Sequence, residues 1–169
     1  MKKVLLLMLS IFILSCSTCF AAEQVQMNDS LGAANVIAKY NHLVTSVSDM
    51  DDCIASEPYL IKQNENYDGF GSRCKNNSLL LFQCNKAGYV VGCMITSPDR
   101  NTVIKETLAI LSVITNYEKA SEACKRAISA SFTEGHTHVW YSNNMDRYYG
   151  IDVEYVNGLY KATLVAAVQ

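Results

Sequence analysis

The chain has little net charge and no motif of a common enzyme class, and each shortage excludes a group of functions. Its 169 residues include 14 Lys and Arg and 16 Asp and Glu, a formal charge of −2. Binding to nucleic acid requires a strongly basic patch, so no nucleic-acid partner is expected. Half of the residues are apolar and 18% are charged, which excludes a disordered or fibrous chain and suits one domain with a hydrophobic core.

Signatures of catalytic and cofactor sites are also missing. The sequence holds no serine nucleophile elbow, no P-loop and no HExxH motif. The segment Gly69-Phe70-Gly71-Ser72-Arg73 has the glycines of a phosphate-binding loop, but no strand is predicted before it and no helix after it. No two cysteines after residue 21 lie within four residues of each other, so zinc-type spacing is absent. We therefore expect no cofactor.

The first residues have the pattern of a secretory signal peptide. Lys2 and Lys3 precede an apolar run over residues 4–14, and small residues follow up to Ala22. The run is too short to span a bilayer, and no later run reaches the ~18 apolar residues that a span needs. Residues 1–21 are predicted to be the signal peptide and residues 22–169 a single domain, which places the protein in the bacterial periplasm or outside the cell. The alternative is a lipid anchor at Cys16, which would make it an outer-membrane lipoprotein.

The first part of the predicted domain contains two helices and a loop. Apolar residues at three- and four-residue spacing predict a helix over 30–46, preceded by the capping cluster Asn28-Asp29-Ser30. A short helix over 49–56 follows, or one kinked helix covers both segments. Residues 57–78 have no periodicity and are predicted to be a loop. A loop of about twenty residues is long for a compact domain, so we expect it to be tied down or functional.

A hairpin and a long helix follow this loop. Two apolar runs of β type, 79–84 and 89–96, flank the turn Asn85-Lys86-Ala87-Gly88, whose last residue suits a left-handed conformation. The cluster Ser97-Pro98-Asp99 then caps a predicted helix over 102–132. The first half of this helix is apolar nearly all round, so we expect it to be buried on most sides.

The C-terminal third predicts three strands. Residues 136–142 form one strand, and Asn157-Gly158 is the turn of a two-residue hairpin between the other two. This turn sets a register in which three pairs face each other: Val156 with Leu159, Tyr155 with Tyr160, and Glu154 with Lys161. The predicted order is α-α-β-β-α-β-β-β, an α+β fold with helices packed on one face of an antiparallel sheet of about five strands.

Export makes disulfide bonds permissible for the five cysteines that follow the signal peptide. A Cys53–Cys74 bond would tie down the long loop. Cys84 and Cys93 lie ~10–13 Å apart along their hairpin, beyond the ~7 Å between Cα atoms that a disulfide allows. A helix returning along the hairpin brings Cys124 level with Cys84, so we predict a second bond between these two and a buried thiol at Cys93. The alternative is that all five are buried thiols.

A histidine pair is the one candidate for metal chemistry. His136, His138 and Trp140 share one side of the predicted strand, and that side faces outward if Val139 and Tyr141 face the core. Asp152 and Glu154, outward on a later strand, would complete a mixed metal site. The hypothesis that follows is a small exported metal-dependent hydrolase using His136 and His138. Ordinary exposed strand residues explain the same pattern.

Tyr148 and Tyr149 lie beside the polar segment Asn143-Asn144-Met145-Asp146, which predicts an aromatic loop at one end of the sheet. Such surfaces are typical of protein recognition, although tyrosines that lean on the domain give the same pattern. With His136, His138 and Trp140, these tyrosines form the predicted binding surface. The favoured hypothesis is an exported, non-enzymatic binding or accessory protein: an assembly factor, an inhibitor or an immunity-type partner. Its partner would be a protein of the cell envelope or outside the cell.

Overall fold

A computed structural model describes residues 26–115, 122–134 and 137–167, except for the side chains of residues 122–124 and 167. The predicted signal peptide over residues 1–21, the lipidation alternative at Cys16 and the predicted ligand His136 lie outside the described residues. Within them the helices are α1 (Ala33–Thr45), α2 (Arg100–Ile114) and α3 (Glu122–Glu134), with a 3₁₀ turn at Asp51–Cys53.

The described strands form one antiparallel sheet of seven strands in the order β1-β2-β3-β4-β7-β6-β5. The strands are β1 (Tyr59–Gln63), β2 (Tyr67–Arg73), β3 (Leu79–Asn85), β4 (Val90–Ser97), β5 (His138–Ser142), β6 (Arg147–Val156) and β7 (Leu159–Ala167). The predicted α+β class is confirmed, but the sheet has two strands more than the five expected. β1 and β5 are the two edge strands, at opposite ends of this order.

The two additional strands come from the segment predicted to be a loop. β1 and β2 form a hairpin, and β2 pairs with β3 along its full length. The glycines that hid the strand pattern have a packing role, because a Cβ atom on Gly71 would collide with Cδ1 of Ile61 from β1. At the turn, the side-chain oxygen of Asn64 accepts hydrogen bonds from the backbone N–H groups of Asn66 and Tyr67. Because glycines conceal the alternating pattern of β2, the prediction of a loop at this segment was wrong.

The predicted helices differ at their ends. The segment predicted as a helix over 49–56 contains only the turn Asp51–Cys53, and Ala55 then opposes Cys74 in an antiparallel bridge. The helix predicted over 102–132 is two helices, since α2 ends at Ile114. Asp99 caps α2 as predicted, because its carboxylate accepts a hydrogen bond from Thr102 N at 2.8 Å.

Asn28 has a tertiary role and does not cap α1. That helix begins after Gly32 with no side-chain cap. The buried Asn28 amide donates a hydrogen bond to Ile114 O over 2.7 Å, 86 residues away, and its side-chain oxygen accepts one from Ser30 N. Asn28 thereby pairs one of the carbonyl groups that the end of α2 leaves open.

The hydrophobic core lies between the helices and one face of the sheet. It joins residues of all three helices to alternate residues of the central strands. Its largest fully buried side chains on the sheet and helices include Tyr40, Phe82, Ile95, Ile110 and Tyr149. We call the opposite side of the sheet its outer face.

Both predicted hairpin turns are correct. Val156–Leu159, Tyr155–Tyr160 and Glu154–Lys161 are the observed pairs around Asn157-Gly158. Gly88 closes the β3–β4 turn at φ 88°, and Cys84 opposes Val90. These registers depend on the residues of the turns themselves, so they can be predicted from the local sequence.

Candidate functional site

The edge strand β5 presents the face opposite to the one expected. Val139 and Tyr141 are 49% and 42% exposed, whereas Trp140 between them is buried. Residues of a strand alternate between the two faces of its sheet, so His138 and Trp140 point toward the helices. The prediction that Trp140 faces outward was wrong.

Trp140 and Tyr149 belong to the core and not to a binding surface. Their rings stack with centroids 5.7 Å apart. The Tyr149 hydroxyl donates a hydrogen bond to Met27 O, which fastens the N-terminal segment to β6, and burial raises the pKa of this phenol. Of the described residues in the predicted surface, only Tyr148 and His138 keep partial exposure.

The predicted metal ligands are not brought together. His138 lies directly opposite the core residue Ile151, and its Nε2 is 3.2 Å from Oε2 of Glu134 on α3. Asp152 is adjacent to Ile151 and therefore points to the outer face, as does Glu154 two residues later. The histidine and the two carboxylates thus lie on opposite faces of the sheet, so His138, Asp152 and Glu154 do not share one site, and His136 lies outside the described residues.

The two carboxylates have other partners. Asp152 accepts a hydrogen bond from the Thr137 hydroxyl at 3.2 Å, and Glu154 pairs with the Lys161 ammonium group. In the part of the chain that the structure describes, no group of three or more His, Cys, Asp or Glu side chains could hold a metal ion.

The exposed side chains of β5 continue onto β6. Tyr141 and Tyr148 face each other across the strand pair, with ring centroids 5.1 Å apart. The Tyr141 hydroxyl donates a hydrogen bond to Asp146, and this bond raises the pKa of the phenol. We call Val139, Tyr141 and Tyr148 the β5 patch. It is an apolar and aromatic surface on the outer face, beside a free strand edge.

The β5 edge lacks the features that protect edge strands. Its five residues, His138–Ser142, pair with β6 without a bulge and include no proline, lysine or acidic residue. The opposite edge is different, since the register of β1 shifts between Leu60 and Lys62 and Ile61 folds over Gly71. Bulges and edge lysines prevent unwanted strand pairing. By this comparison β5 is the less protected of the two edges.

A second polar arrangement lies inside the molecule, between α1, α2, the 3₁₀ turn and the chain before β3. The Glu106 side chain of α2 is fully buried. Its Oε1 accepts hydrogen bonds from Ser78 Oγ at 2.6 Å and from Asn76 Nδ2 at 3.0 Å. Its Oε2 has no hydrogen-bond partner of good geometry. We call this the acid–thiol cluster, and its members are Tyr40, Cys53, Cys74, Asn76, Ser78 and Glu106.

The electrostatics of the cluster favour neutral forms. Burial is the largest effect on Glu106 and raises the pKa of its carboxyl group, while hydrogen bonds from Ser78, Asn76 and the two thiols lower it by less. Burial and the nearby Glu106 raise the pKa of Cys53 and of Cys74 to about 12. Burial thus shifts each of these groups toward its protonated form.

The structure leaves the predicted disulfide bonds unformed. Cys53, Cys74 and Cys84 are free thiols, although the first two lie in one cluster. Cys84 on β3 lies beside Ala33 of α1, whereas α3, which carries Cys124, packs on β5 and β6. Strands ~4.8 Å apart place β3 ~14 Å from β6, so the arrangement does not support the Cys84–Cys124 pairing. The predicted Cys84–Cys124 pairing assumed one continuous helix over 102–132, which the structure divides into α2 and α3.

The sequence contains a signal for the burial of Glu106 that the predictions above did not use. Val103, Glu106 and Ile110 occur at spacings of three and four, so the acid lies on the most buried face of α2. A lone acid on such a face needs hydrogen-bond donors from elsewhere in the fold. The donors come from Asn76 and Ser78, in a segment that was predicted to be a loop.

Among the residues that the structure describes, no helix combines the length and the hydropathy that crossing a membrane requires. Comparison with protein-family models, with curated proteins and with solved structures finds no match for this chain.

Proposed function

We propose that this is an exported, non-enzymatic binding protein whose β5 edge pairs with an extended segment of another protein. The observation that carries the proposal is the contrast between the two edges of the sheet. β1 is bulged and carries Lys62, whereas β5 is regular and carries no lysine or acidic residue; exposed apolar side chains occur on both strands. We expect such a protein to act as an assembly factor, an inhibitor or an immunity-type partner.

The chemistry of the edge defines the expected partner segment. An added strand forms main-chain hydrogen bonds with the open side of β5, and this supplies affinity with little dependence on sequence. The β5 patch then selects side chains, because every second residue of the added strand lies on the outer face beside Val139 and Tyr141. Apolar or aromatic residues at alternate positions of the partner match this surface.

Tyr148 and Tyr141 suit such a contact for a further reason. Tyrosine is enriched at protein interfaces because its ring buries apolar area while its hydroxyl keeps a polar partner. The Tyr141 hydroxyl already has such a partner in Asp146. The ring can therefore be covered without leaving a polar group unpaired.

The compartment in which this binding takes place is the bacterial periplasm or the exterior of the cell, after removal of residues 1–21. The N-terminal features on which this rests are Lys2, Lys3 and the apolar run over 4–14. An intact mass that corresponds to a mature chain starting at Ala22 would support this location. A lipid on Cys16, seen in the intact mass, would instead place the protein on the outer membrane.

Site-specific photo-crosslinking in cells that export the full chain tests the proposed edge. A benzophenone amino acid replaces Tyr141 in one variant and Leu60 of the β1 edge, which is 53% exposed, in the control. We expect a discrete cross-linked product at position 141 and not at position 60, and we expect Val139→Lys to remove it. Equal products at both positions, or a product unaffected by Val139→Lys, would refute the proposal.

A further inference from the structure

Two thiols of the acid–thiol cluster lie on the same side of a short strand pairing. Ala55 opposes Cys74, and two more backbone hydrogen bonds continue this pairing: Lys75 N to Ile54 O at 3.0 Å and Asn76 N to Asp52 O at 2.8 Å. Cys53 precedes Ala55 by two residues, which returns it to the side that faces Cys74. Diagonal neighbours of this kind have Cα atoms ~7–8 Å apart and Cβ atoms closer. A disulfide requires Cα atoms within ~7 Å, so formation of the bond requires the Asp51–Cys53 turn to move toward Cys74.

The same buried carboxyl group acts on both thiols. Burial and, second to it, Glu106 raise the pKa of Cys53 and of Cys74, while Glu106 Oε2 has no hydrogen-bond partner and the Cys53 thiol donates a hydrogen bond to Asp52 Oδ1 at 3.6 Å. The Asn76 amide links the two sides, since it lies 3.5 Å from Cys53 Sγ and 3.0 Å from Glu106 Oε1. No ion pair to Glu106 occurs among the described residues.

The titratable groups that face Glu106 are few. They are the Tyr40 phenol of α1, the Cys53 thiol of the 3₁₀ turn and the Cys74 thiol at the end of β2. Asp52 acts on Cys53 but is itself exposed. The protonation of Glu106 therefore depends mainly on burial and on the donors within its own cluster.

We propose that Cys53 and Cys74 form a reversible disulfide by exchange with a disulfide-bearing oxidant. In the reaction one sulfur–sulfur bond forms between the two cysteines and one breaks in the oxidant R–S–S–R. The two cysteines lose two electrons and two protons, and the oxidant takes them up as two R–SH molecules. Disulfide oxidants of this kind act outside the cytoplasm.

The 3₁₀ turn provides access to the buried pair. Cys53 and Cys74 are each 2% exposed, so exchange requires a local opening. Asp51 and Asp52, which precede Cys53 in the turn, are exposed. Opening of this one turn brings Cys53 to the solvent without separation of the sheet.

Peptide mapping after equilibration in glutathione redox buffers tests the bond. The mature chain is quenched with acid, and its remaining thiols are alkylated. We expect a linked Cys53–Cys74 peptide in oxidising buffer and its loss in reducing buffer, while Cys84 stays alkylated in both. Cys53→Ser must abolish the linked peptide. Absence of this peptide in every buffer, or a linked Cys53–Cys84 peptide, would overturn the proposal.

Discussion

Replacement of Glu106 by glutamine is expected to change how stability depends on pH. In the reduced protein, the pKa of this carboxyl group is raised above its ordinary value of 4.5, chiefly because the group is buried. A raised folded-state pKa means that the folded protein binds a proton which the unfolded chain releases. The stabilising contribution is thus complete below about pH 4.5 and is lost as pH rises through the folded-state pKa.

The magnitude of the effect follows from a single proton. Wherever the folded and unfolded states differ by one bound proton, the unfolding free energy changes by about 1.4 kcal/mol per pH unit. Glutamine has nearly the shape of glutamate and keeps an acceptor for Ser78 and Asn76, but it does not titrate. The variant should therefore lack this slope and be more stable than the wild type at neutral pH.

Urea unfolding with a reductant present, followed by circular dichroism at several pH values, measures this difference. Glu57→Gln is the matched control, since Glu57 is exposed and lies outside the cluster. We expect the control to keep the wild-type slope. The reasoning fails if the stability of the wild type does not fall as pH rises above about 4.5, or if Glu106→Gln retains the same fall.

Three further substitutions test the fold by thermal or urea unfolding. Gly158 has φ 80°, and a Cβ atom there would meet no other atom within 4 Å. Gly158→Val should therefore cost at least ~1 kcal/mol through backbone strain, whereas Gly158→Asn should cost less. Equal melting curves would count against the hairpin. Trp140→Ala should cost about 3–5 kcal/mol as a core truncation, and Tyr141→Ala on the outer face less than about 1 kcal/mol; the reverse order would mean that β5 faces the other way. Asn28→Ala should cost about 1–3 kcal/mol because it leaves the carbonyl group of Ile114 unpaired, and an unchanged free energy of unfolding would show that this bond is replaced by water.

The orientation of β5 shows where inference from the sequence stops. Alternation along a strand states which residues share a face, but not which face is buried. Val139, Trp140 and Tyr141 are all apolar or aromatic, so no polar residue among them identifies the solvent side. Tertiary packing decided it, because Trp140 meets the ring of Tyr149 in the core. The predicted binding surface and the predicted metal ligands both depended on the opposite choice.

The sequence by itself determined the features that short-range chemistry controls. The Asn157-Gly158 turn set the β6–β7 register, Gly88 closed the β3–β4 hairpin, and Asp99 capped α2, because each depends on residues within a few positions. The tertiary structure alone decided the burial of Glu106. Its donors, Asn76 and Ser78, lie 30 and 28 residues away in the chain, and only the docking of α2 against the segment before β3 brings them to the carboxylate. A buried acid is tolerated only where distant parts of the chain supply such partners, and that information is not local.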